Sequence, residues 1–347
     1  MPIGKRVAVI EGEDAAPEAI RATCGLLDRL ALPLEWIHPS VDDHAATRAA
    51  IDGSDATLFG ATSGRSAAAI FYLRWGKRTF ANVRPLRWHP GYASPLARPD
   101  GIDLVIVREN LEDLYVGVEG ELSALRPLGL ASRLGGGPVA ELGPGRFALK
   151  VITEAGSERV VRFAFELARR RRSAGRRAKV TCGAKYNMLP ATDGLFRDVA
   201  RRIAASYPDV AFETFIVDDL ARRLVQSPHE LDVVVLPNLY GDILSDAAAG
   251  VIGGLGLAPS GCYGDAYAYF EPTHGTAPDI AGRGIINPTA SILSAAMMLE
   301  YLGFAPAAAR LESAVTRVYA EGRSLTPDQG GRATTLEFCA AVERYST

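Results

Sequence analysis

LDVVVL at residues 231–236 precedes NLYGDILSD at residues 238–246. The first segment is an apolar run that predicts a buried strand, and the second predicts a helix that carries Asp242 and Asp246. Positions i and i+4 lie on one face of a helix, so both carboxylates point toward one place. Carboxylate oxygens suit Mg²⁺ or Mn²⁺, but aspartates near a helix start are also favoured by the helix dipole. The spacing alone leaves both interpretations open.

Composition excludes several classes of function. The 347 residues are enough for about two domains. Lys and Arg number 38 against 40 Asp and Glu, so no overall positive field favours nucleic acid or an anionic membrane surface. The four cysteines form no CxxC motif, which argues against a disulfide framework or a zinc site. No apolar run is long enough to span a membrane, and residues 6–10 indicate a strand instead of a signal peptide, so we expect a soluble, cytoplasmic protein.

Strands and helices alternate along the first third of the chain, which predicts an α/β fold with parallel strands. Strands are predicted at residues 7–10, 34–38, 56–59 and 104–107, and helices at residues 17–30 and 45–51. Residues 118–145 are rich in Gly, Leu and Pro and predict a loop or a protruding arm. The elements expected after the arm are a strand at 147–153, a helix at 157–171, a strand at 210–217 and an apolar helix at 288–303.

Polar residues recur directly after the predicted strands. They are Arg108, Lys185, Asp218 and Asp242. Ligands of open α/β sheets bind beyond the carboxyl ends of the strands, so this distribution predicts one composite site. Arginine forks pair bidentately with carboxylates, and three arginines of the first third could clamp a di- or tricarboxylate: Arg74, Arg84 and Arg108.

Several blocks of sequence resemble the β-decarboxylating dehydrogenases, which include isocitrate, homoisocitrate, isopropylmalate, tartrate and decarboxylating malate dehydrogenases. The blocks are FANVRP (80–85), VIVRENLEDLYVG (105–117), NLYGDILSD (238–246), EPTHGTAPDIAGRGIINPTASILSAAMMLE (271–300) and LTPDQGG (325–331). The resemblance covers nearly the whole chain. It implies an α/β, isopropylmalate-dehydrogenase-like two-domain fold with a mixed, largely parallel sheet and without the glycine fingerprint of a Rossmann fold.

The resemblance also implies roles for the matching residues. The substrate carboxylates would be held by three arginines with an asparagine nearby: Arg74, Arg84, Arg108 and Asn187. Lys185 and Tyr115 would be catalytic, the lysine accepting the proton of the substrate alcohol and the tyrosine protonating carbon 3 after CO₂ leaves. Mg²⁺ or Mn²⁺ would stabilise the enolate as a Lewis acid. Its ligands would be Asp218, Asp242 and Asp246.

The nicotinamide cofactor is expected at a loop of the long C-terminal block. By resemblance its contacts would be His274, Gly275, Thr276, Ala277, Asp279 and Asn287. The turn at residues 12–18 has the sequence GEDAAPE, where the family usually shows GDGIGPE. Relatives that use the phosphorylated cofactor usually carry Lys-Tyr where this chain has Asp279-Ile280. Because a carboxylate accepts hydrogen bonds from ribose hydroxyls and repels a 2′-phosphate, we expect NAD.

The resemblance further implies interleaved domains and a homodimer with shared active sites. Residues 1–90 and 253–347 would form the cofactor-side domain. Residues 91–252 would form the second domain, with the dimer interface and an arm near residues 118–150. The lysine and one aspartate of each site would come from the partner subunit. The other expected partner is a small hydroxy-dicarboxylate or tricarboxylate substrate, with no nucleic acid and no membrane.

Substrate choice in this family is made between the third strand and Arg74. Ala68 and Ile70 stand where isocitrate enzymes place Ser and Asn, and the loop lacks the acidic residue of isopropylmalate enzymes. The local sequence is most similar to homoisocitrate enzymes, although it is shorter. Arg65 is the remaining cation that could bind a distal anionic group, and the alternative for Arg65 is a solvated loop arginine.

We therefore expect NAD- and metal-dependent oxidative decarboxylation of a homoisocitrate- or isocitrate-like 2-hydroxy-3-carboxy acid, nearest to the NAD-dependent isocitrate/homoisocitrate branch. Alternative substrates are a 3-substituted malate such as phosphonomethylmalate, isopropylmalate, tartrate and malate. A regulatory, catalytically silent subunit is the non-enzyme alternative. Such subunits typically lose catalytic residues that this sequence retains.

Overall fold

The structure is a computed structural model, and it describes residues 4–346. The strands are β1 (Lys5–Ile10), β2 (Leu34–Ile37), β3 (Ala56–Phe59), β4 (Ala81–Arg87), β5 (Asp103–Glu109), β6 (Glu119–Glu121), β7 (Arg146–Ala148), β8 (Lys179–Ala184), β9 (Ala211–Ile216), β10 (Val233–Leu236), β11 (Pro259–Tyr263) and β12 (Ala268–Pro272). The α-helices are α1 (Ala16–Asp28), α2 (His44–Asp52), α3 (Ala67–Phe71), α4 (Glu154–Ser173), α5 (Thr192–Ala204), α6 (Val217–Gln226), α7 (Asn238–Ile252), α8 (Thr289–Tyr301), α9 (Ala305–Glu321) and α10 (Thr335–Ser346).

One ten-stranded mixed sheet organises the chain, in the order β2-β1-β3-β12-β11-β4-β5-β10-β8-β9. The two ends of the sheet are parallel, and the strands between them are antiparallel: β11 pairs antiparallel with both β12 and β4, and β4 with β5. The prediction of an α/β fold with a mixed, largely parallel sheet is confirmed. The division into interleaved domains at residues near 90 and 253 stays a prediction.

Burial follows the apolar runs of the sequence. All four residues of β10, Val233–Leu236, are buried, as expected for a strand covered on both faces. The apolar helix predicted at 288–303 is α8, and nearly all of its side chains are buried. A small separate sheet, in which β6 pairs antiparallel with β7, lies in the region predicted to be a loop or an arm.

Two predicted strands differ from the observed elements. The strand predicted at 147–153 ends at Ala148, because Lys150 turns toward buried carboxylates and Thr153 caps α4 by accepting a hydrogen bond from the Gly156 amide. The strand predicted at 210–217 ends at Ile216, and Val217 already begins α6. No helix within residues 4–346 is long and apolar enough to cross a membrane.

Candidate active site

The two central strands present basic side chains on one face of the sheet. In the antiparallel register of β4 and β5, Asn82 lies opposite Arg108. Alternate residues of a strand share a face, so Arg84 lies on the same side as Asn82 and Arg108. Helix α7 covers this face closely at Gly241, where a Cβ atom would lie 2.6 Å from Cγ of Arg108. Glycine is therefore required at this position if α7 is to approach the arginine.

Arg108 is the centre of this face, with only 1% of its side chain exposed. Its Nε donates to Oδ1 of Asn238 at 2.8 Å, its Nη1 donates to Asp242, and its guanidinium lies 5.0 Å from the ring centroid of Tyr115. Among the residues that the structure describes, the buried Nη2 of Arg108 has no hydrogen-bond partner. A buried unpaired donor is costly, so this atom is a natural position for a substrate carboxylate.

Arg84 joins both aspartates of α7. Its Nη1 donates to Oδ1 of Asp246 at 2.8 Å and to Oγ of Ser245 at 2.7 Å, and its Nη2 lies 3.4 Å from Oδ1 of Asp242. The prediction that Asp242 and Asp246 share one face of a helix therefore agrees with the contacts, although both lie beyond the first residues of α7.

Tyr115 donates its hydroxyl hydrogen to Oδ2 of Asp242 at 2.5 Å. Burial would raise the pKa of the Asp242 carboxyl, but Arg108 and Tyr115 hold this pKa below its ordinary value. Burial and Asp242 raise the pKa of the tyrosine, so Tyr115 stays protonated and remains a proton donor. Asp246 differs from Asp242, because burial raises the pKa of its carboxyl despite the opposing charge of Arg84.

Arg74 approaches the same region from a π-helical turn at Tyr72–Gly76. Its Nε donates to the Tyr269 hydroxyl at 3.3 Å, and its Nη2 lies 4.0 Å from Glu271. Sequence reasoning assigned no role to Glu271, although this residue opens the long C-terminal block. Burial raises the pKa of the Glu271 carboxyl, with Arg74 as the main opposing influence.

Lys185 and Asp218 form a separate pair. The Lys185 ammonium is bonded to Asp218, whose pKa is lowered by this contact. The two side chains are 30% and 66% exposed and border a shallow apolar depression with Tyr240 and Ile243 of α7. Asn187 is exposed in the turn that follows Lys185. This chain alone does not bring the pair together with the arginine face.

The metal ligands proposed from the sequence are likewise divided. Within residues 4–346, no three His, Cys, Asp or Glu side chains lie together in a way that could hold a metal ion. Tyr240 and Leu244 of α7, which line the depression, are each two residues from Asp242, so their side chains point about 160° away from it around the helix. The helix therefore stands between Asp242 and the depression that Asp218 borders. The oxygen donors of Asp242 and Asp246 fit a hard cation.

The predicted cofactor residues lie in and around one loop. Asn287 is buried and donates to Asp328 at 2.9 Å and to the Tyr319 hydroxyl at 3.1 Å. The Nδ1 of His274 donates to the Gly275 carbonyl at 2.8 Å. Among the described residues, the buried His274 Nε2 has no hydrogen-bond partner, so this atom is available to an adenine. Asp279 and Gly275 are exposed, Thr276 is buried, and Ala277 adopts a left-handed conformation with φ +51°.

Glu18 of α1 fixes the C-terminal part of this predicted cofactor loop. Its two carboxylate oxygens accept hydrogen bonds from the amides of Gly282 at 2.6 Å and Gly284 at 2.7 Å. The Ala15 amide adds a third tie, because it donates to the Thr276 carbonyl at 3.0 Å. The altered GEDAAPE turn and the start of α1 therefore still support the loop. Sequence reasoning did not assign this role to Glu18, since the contact joins residues more than 260 positions apart.

The loop at residues 60–66, which the sequence predicts to select the substrate, is hereafter called the substrate-selecting loop. It is held by Glu13. Its carboxylate accepts hydrogen bonds from the Ser66 amide at 2.7 Å, the Thr62 hydroxyl at 2.9 Å and the Gly64 amide at 3.1 Å. These bonds outweigh burial and lower the pKa of Glu13 to about 2. Arg65 lies in the same loop but is exposed and forms a two-bond ion pair with Asp42. Arg65 makes no hydrogen bond to the arginine face within residues 4–346.

Buried arginines lie against paired carboxylates beside a protonated tyrosine on one face of the central strands, an arrangement that suits the binding of a polycarboxylate. The profile of the family described as "Isocitrate/isopropylmalate dehydrogenase" matches residues 6–342. The chain therefore belongs to the isocitrate/isopropylmalate dehydrogenase family, and it is a decarboxylating dehydrogenase. The family uses NAD or NADP with Mg²⁺ or Mn²⁺.

Individual relatives agree with this assignment but differ in their substrates. The chain is 42% identical to a 3-isopropylmalate/3-methylmalate dehydrogenase of Methanocaldococcus jannaschii, over 98% of both chains. It is 44% identical to an isocitrate/homoisocitrate dehydrogenase of Thermus thermophilus, over 97% of both chains. The crystal structure of isocitrate dehydrogenase from Methylococcus capsulatus superposes with a TM-score of 0.86 at 35% identity and covers 99% of both chains.

Proposed function

We propose that this protein catalyses the NAD- and divalent-metal-dependent oxidative decarboxylation of a 3-substituted malate, as a homodimer with shared active sites. The observation that carries the proposal is the convergence of Arg84, Arg108 and Tyr115 on Asp242 and Asp246. This arrangement supplies cations for substrate carboxylates and a proton donor beside two aspartates whose oxygens can bind a metal ion.

The residues then divide the reaction between them. Arg74, Arg84 and Arg108 bind the carboxylates of the malate unit and orient it. Asp242 and Asp246, with Asp218 of the partner subunit, would hold the metal ion, which would supply Lewis-acid chemistry when bound. A nicotinamide cofactor bound at the loop of His274 would supply the acceptor for the hydride of carbon 2. Lys185 of the partner subunit accepts the proton of the hydroxyl on carbon 2 of the substrate. The carboxylate on carbon 3 then leaves as CO₂. Tyr115 then donates its proton to carbon 3, which completes the 2-oxo acid.

The dimer follows from the residues that one chain cannot assemble. Lys185 and Asp218 lie on the other side of α7 from Asp242, next to exposed apolar side chains: Met188 (52%), Val225 (52%) and Ile243 (58%). The region proposed as the arm also exposes leucines: Leu128, Leu134 and Leu142 are each at least 66% exposed. Apolar surface of this extent is typical of an interface, and burial against a second copy would bring Lys185 and Asp218 to the partner's arginine face.

NAD is the cofactor that the loop supports best. Asp279 is exposed on the loop that carries His274, and a carboxylate accepts hydrogen bonds from ribose hydroxyls. A 2′-phosphate at the same place would meet a negative charge, which disfavours NADP. Asp279→Lys combined with Ile280→Tyr should shift the ratio of kcat/KM values toward NADP. An unchanged preference would show that this pair does not read the ribose.

Two kinds of substituent on carbon 3 of the substrate are candidates, one anionic and one apolar, and each is favoured by an observation. An anionic group, as in homoisocitrate or isocitrate, would bind Arg65 after this arginine leaves Asp42. An apolar group would bind the surface beside Arg74, where Ala68 replaces a polar residue and Phe71 is 56% exposed, whereas Ile70 is buried in the core. Values of kcat/KM for homoisocitrate, isocitrate, isopropylmalate, phosphonomethylmalate, tartrate and malate, with NAD and Mg²⁺, decide between them. No NAD reduction with any of these acids would contradict the proposed function.

A further inference from the structure

A buried lysine outside the proposed catalytic set lies between the segments that carry the catalytic residues. Lys150 is 14% exposed, and its ammonium lies 2.8 Å from Oδ2 of Asp193 and 3.4 Å from Oδ1 of Asp113. Both aspartate side chains are fully buried. The ammonium also donates to the Tyr240 hydroxyl at 3.3 Å and lies 4.4 Å from the centroid of that ring.

Asp193 holds the turn that carries Lys185. Its Oδ1 accepts a hydrogen bond from the Lys185 backbone amide at 2.8 Å, while its Oδ2 faces Lys150. Within the turn, the Lys185 carbonyl accepts hydrogen bonds from the amides of Met188 at 3.0 Å and Leu189 at 2.9 Å. The Asp193 carboxylate is the side chain that ties the Lys185 amide to Lys150, so the orientation of this carboxylate contributes to the position of the Lys185 backbone.

Asp113 holds the other half of the site in a corresponding way. Its Oδ2 accepts from the Leu239 amide in the first turn of α7 at 3.0 Å, and its Oδ1 accepts from the Leu114 amide at 2.9 Å. These bonds fix the helix that carries Asp242 and the turn that carries Tyr115. Asp113 has φ +70°, an unfavourable conformation for a residue with a side chain, so its surroundings have to hold it in place.

We propose that Lys150 is a positioning residue that couples the turn of Lys185 to the turn of Tyr115, and thereby links the two active sites of the dimer. The link between sites rests on the proposed function, since it requires Lys185 to act in the partner's site and Tyr115 in its own. Two buried carboxylates without this cation would repel each other and lose their fixed orientation. The pKa of Lys150 is raised by Asp193 and Asp113 against the effect of burial, so the ammonium keeps its charge.

The first test separates positioning from binding. Lys150→Met should lower kcat by about 100-fold, the cost of misplacing catalytic groups by about 1 Å, while the KM values for substrate and NAD change by less than about threefold. Lys179→Met is the matched control. Lys179 is 20% exposed and pairs with Glu213 at 2.8 Å, but it lies at the opposite end of β8 from Lys185. An unchanged kcat for Lys150→Met, or an equal loss in both variants, would overturn the proposal.

The second test separates positioning from charge balance. The double variant Lys150→Met/Asp193→Asn removes one buried negative charge together with the ammonium and should recover much of the thermal stability lost by Lys150→Met. Its kcat should remain low, because the link between the two turns is still absent. Recovery of kcat together with stability would show that Lys150 only neutralises charge, which would overturn the proposal.

The third test uses mixed dimers. When Lys185→Met chains are mixed with Asp242→Asn chains, each mixed dimer has one complete site, which takes its lysine from the Asp242→Asn chain. Adding Lys150→Met to either chain should lower the activity of this site. A loss from only one of the two placements would overturn the coupling between turns. If the reference mixture without Lys150→Met is inactive, the shared site fails, whereas the kcat test of Lys150→Met in ordinary dimers still decides whether Lys150 positions the turns.

Discussion

Asp242 and Lys185 are both assigned to catalysis, yet the chain holds them in different ways. Asp242 is bonded to Arg108 and Tyr115 and lies 3.4 Å from Arg84, and these two arginine side chains are 1% and 7% exposed. Lys185 is bonded to Asp218, whose side chain is 66% exposed. The proposed shared site accounts for this difference, because a residue can belong to a site that its own chain does not complete. The face with Asp242 is preorganised by intrachain contacts, whereas in the proposed dimer the exposed edge formed by Lys185 and Asp218 is completed by a second copy.

The largest effect on activity is expected for a change at Lys185, on the exposed edge. Lys185→Met removes the proposed proton acceptor and should lower kcat by about 10³-fold, within the range for general bases. NAD affinity, measured by calorimetry, should stay unchanged because the cofactor loop lies elsewhere. Lys179→Met again serves as the control. Retention of more than about a tenth of wild-type kcat would exclude a catalytic role for Lys185.

The next effect is a change in the Mg²⁺ requirement, and it is expected for Asp242 on the preorganised face. Asp242→Asn removes one anionic oxygen ligand and should raise the Mg²⁺ concentration for half-maximal activity by at least about tenfold. Asp198→Asn, a change at an exposed aspartate of α5, is the control and should leave the Mg²⁺ requirement unchanged. Full activity of the wild-type protein in excess EDTA would contradict the metal assignment.

A smaller effect is expected outside both groups, in the substrate-selecting loop. If Arg65 binds a distal anion, Arg65→Ala should cost roughly 2–3 kcal/mol in transition-state stabilisation for the anionic substrate, the usual range for bonds to charged groups. Malate, which lacks a distal group, should be affected little. Asp42→Asn is the matched variant, since it breaks the same ion pair but leaves the arginine free to bind. Equal losses for both acids after Arg65→Ala would instead show that the Arg65–Asp42 pair supports the loop.

The smallest effect is a loss of folding stability, and it is expected for Glu13, which holds the substrate-selecting loop. Glu13→Gln removes a charge that accepts several hydrogen bonds and should lower the free energy of unfolding by about 1–2 kcal/mol near neutral pH. The folded pKa of Glu13, about 2, lies below its ordinary value of 4.5, so this contribution is present above pH 4.5 and is lost as the pH falls toward 2. Unfolding of both proteins at several pH values measures it. A difference that grows as the pH falls would contradict the assignment.

The sequence predicted the sheet and the arginine face well, because both depend on local patterns. The strand at Val233–Leu236 is a continuous apolar run, and Arg84 and Arg108 stand at recognisable strand positions. The misplaced strand at 147–153 shows the limit of local patterns. Residues 149–153 are rich in apolar and β-branched side chains, which suits a strand, but tertiary contacts of Lys150 and the cap at Thr153 determine their conformation.

Contacts between distant segments were not predictable from one sequence. Lys150 meets Asp113 and Asp193, Glu13 meets the loop at residues 62–66, and Glu18 meets the cofactor loop. Each of these side chains is an ordinary charged residue in its local sequence. Their roles come from the fold, which brings together positions more than 30 residues apart and buries some of them.

Complementation between inactive variants tests the central claim of a shared site most directly. Lys185→Met and Asp242→Asn proteins are mixed under conditions that let subunits exchange, and NAD reduction is followed at a Mg²⁺ concentration that saturates the wild type but leaves each variant alone with little activity. If each site combines Lys185 of one chain with Asp242 of the other, about half of the dimers are mixed and hold one intact site, so activity should reach about a quarter of the wild-type value. No activity in a mixture shown by native mass spectrometry to contain mixed dimers would contradict the account.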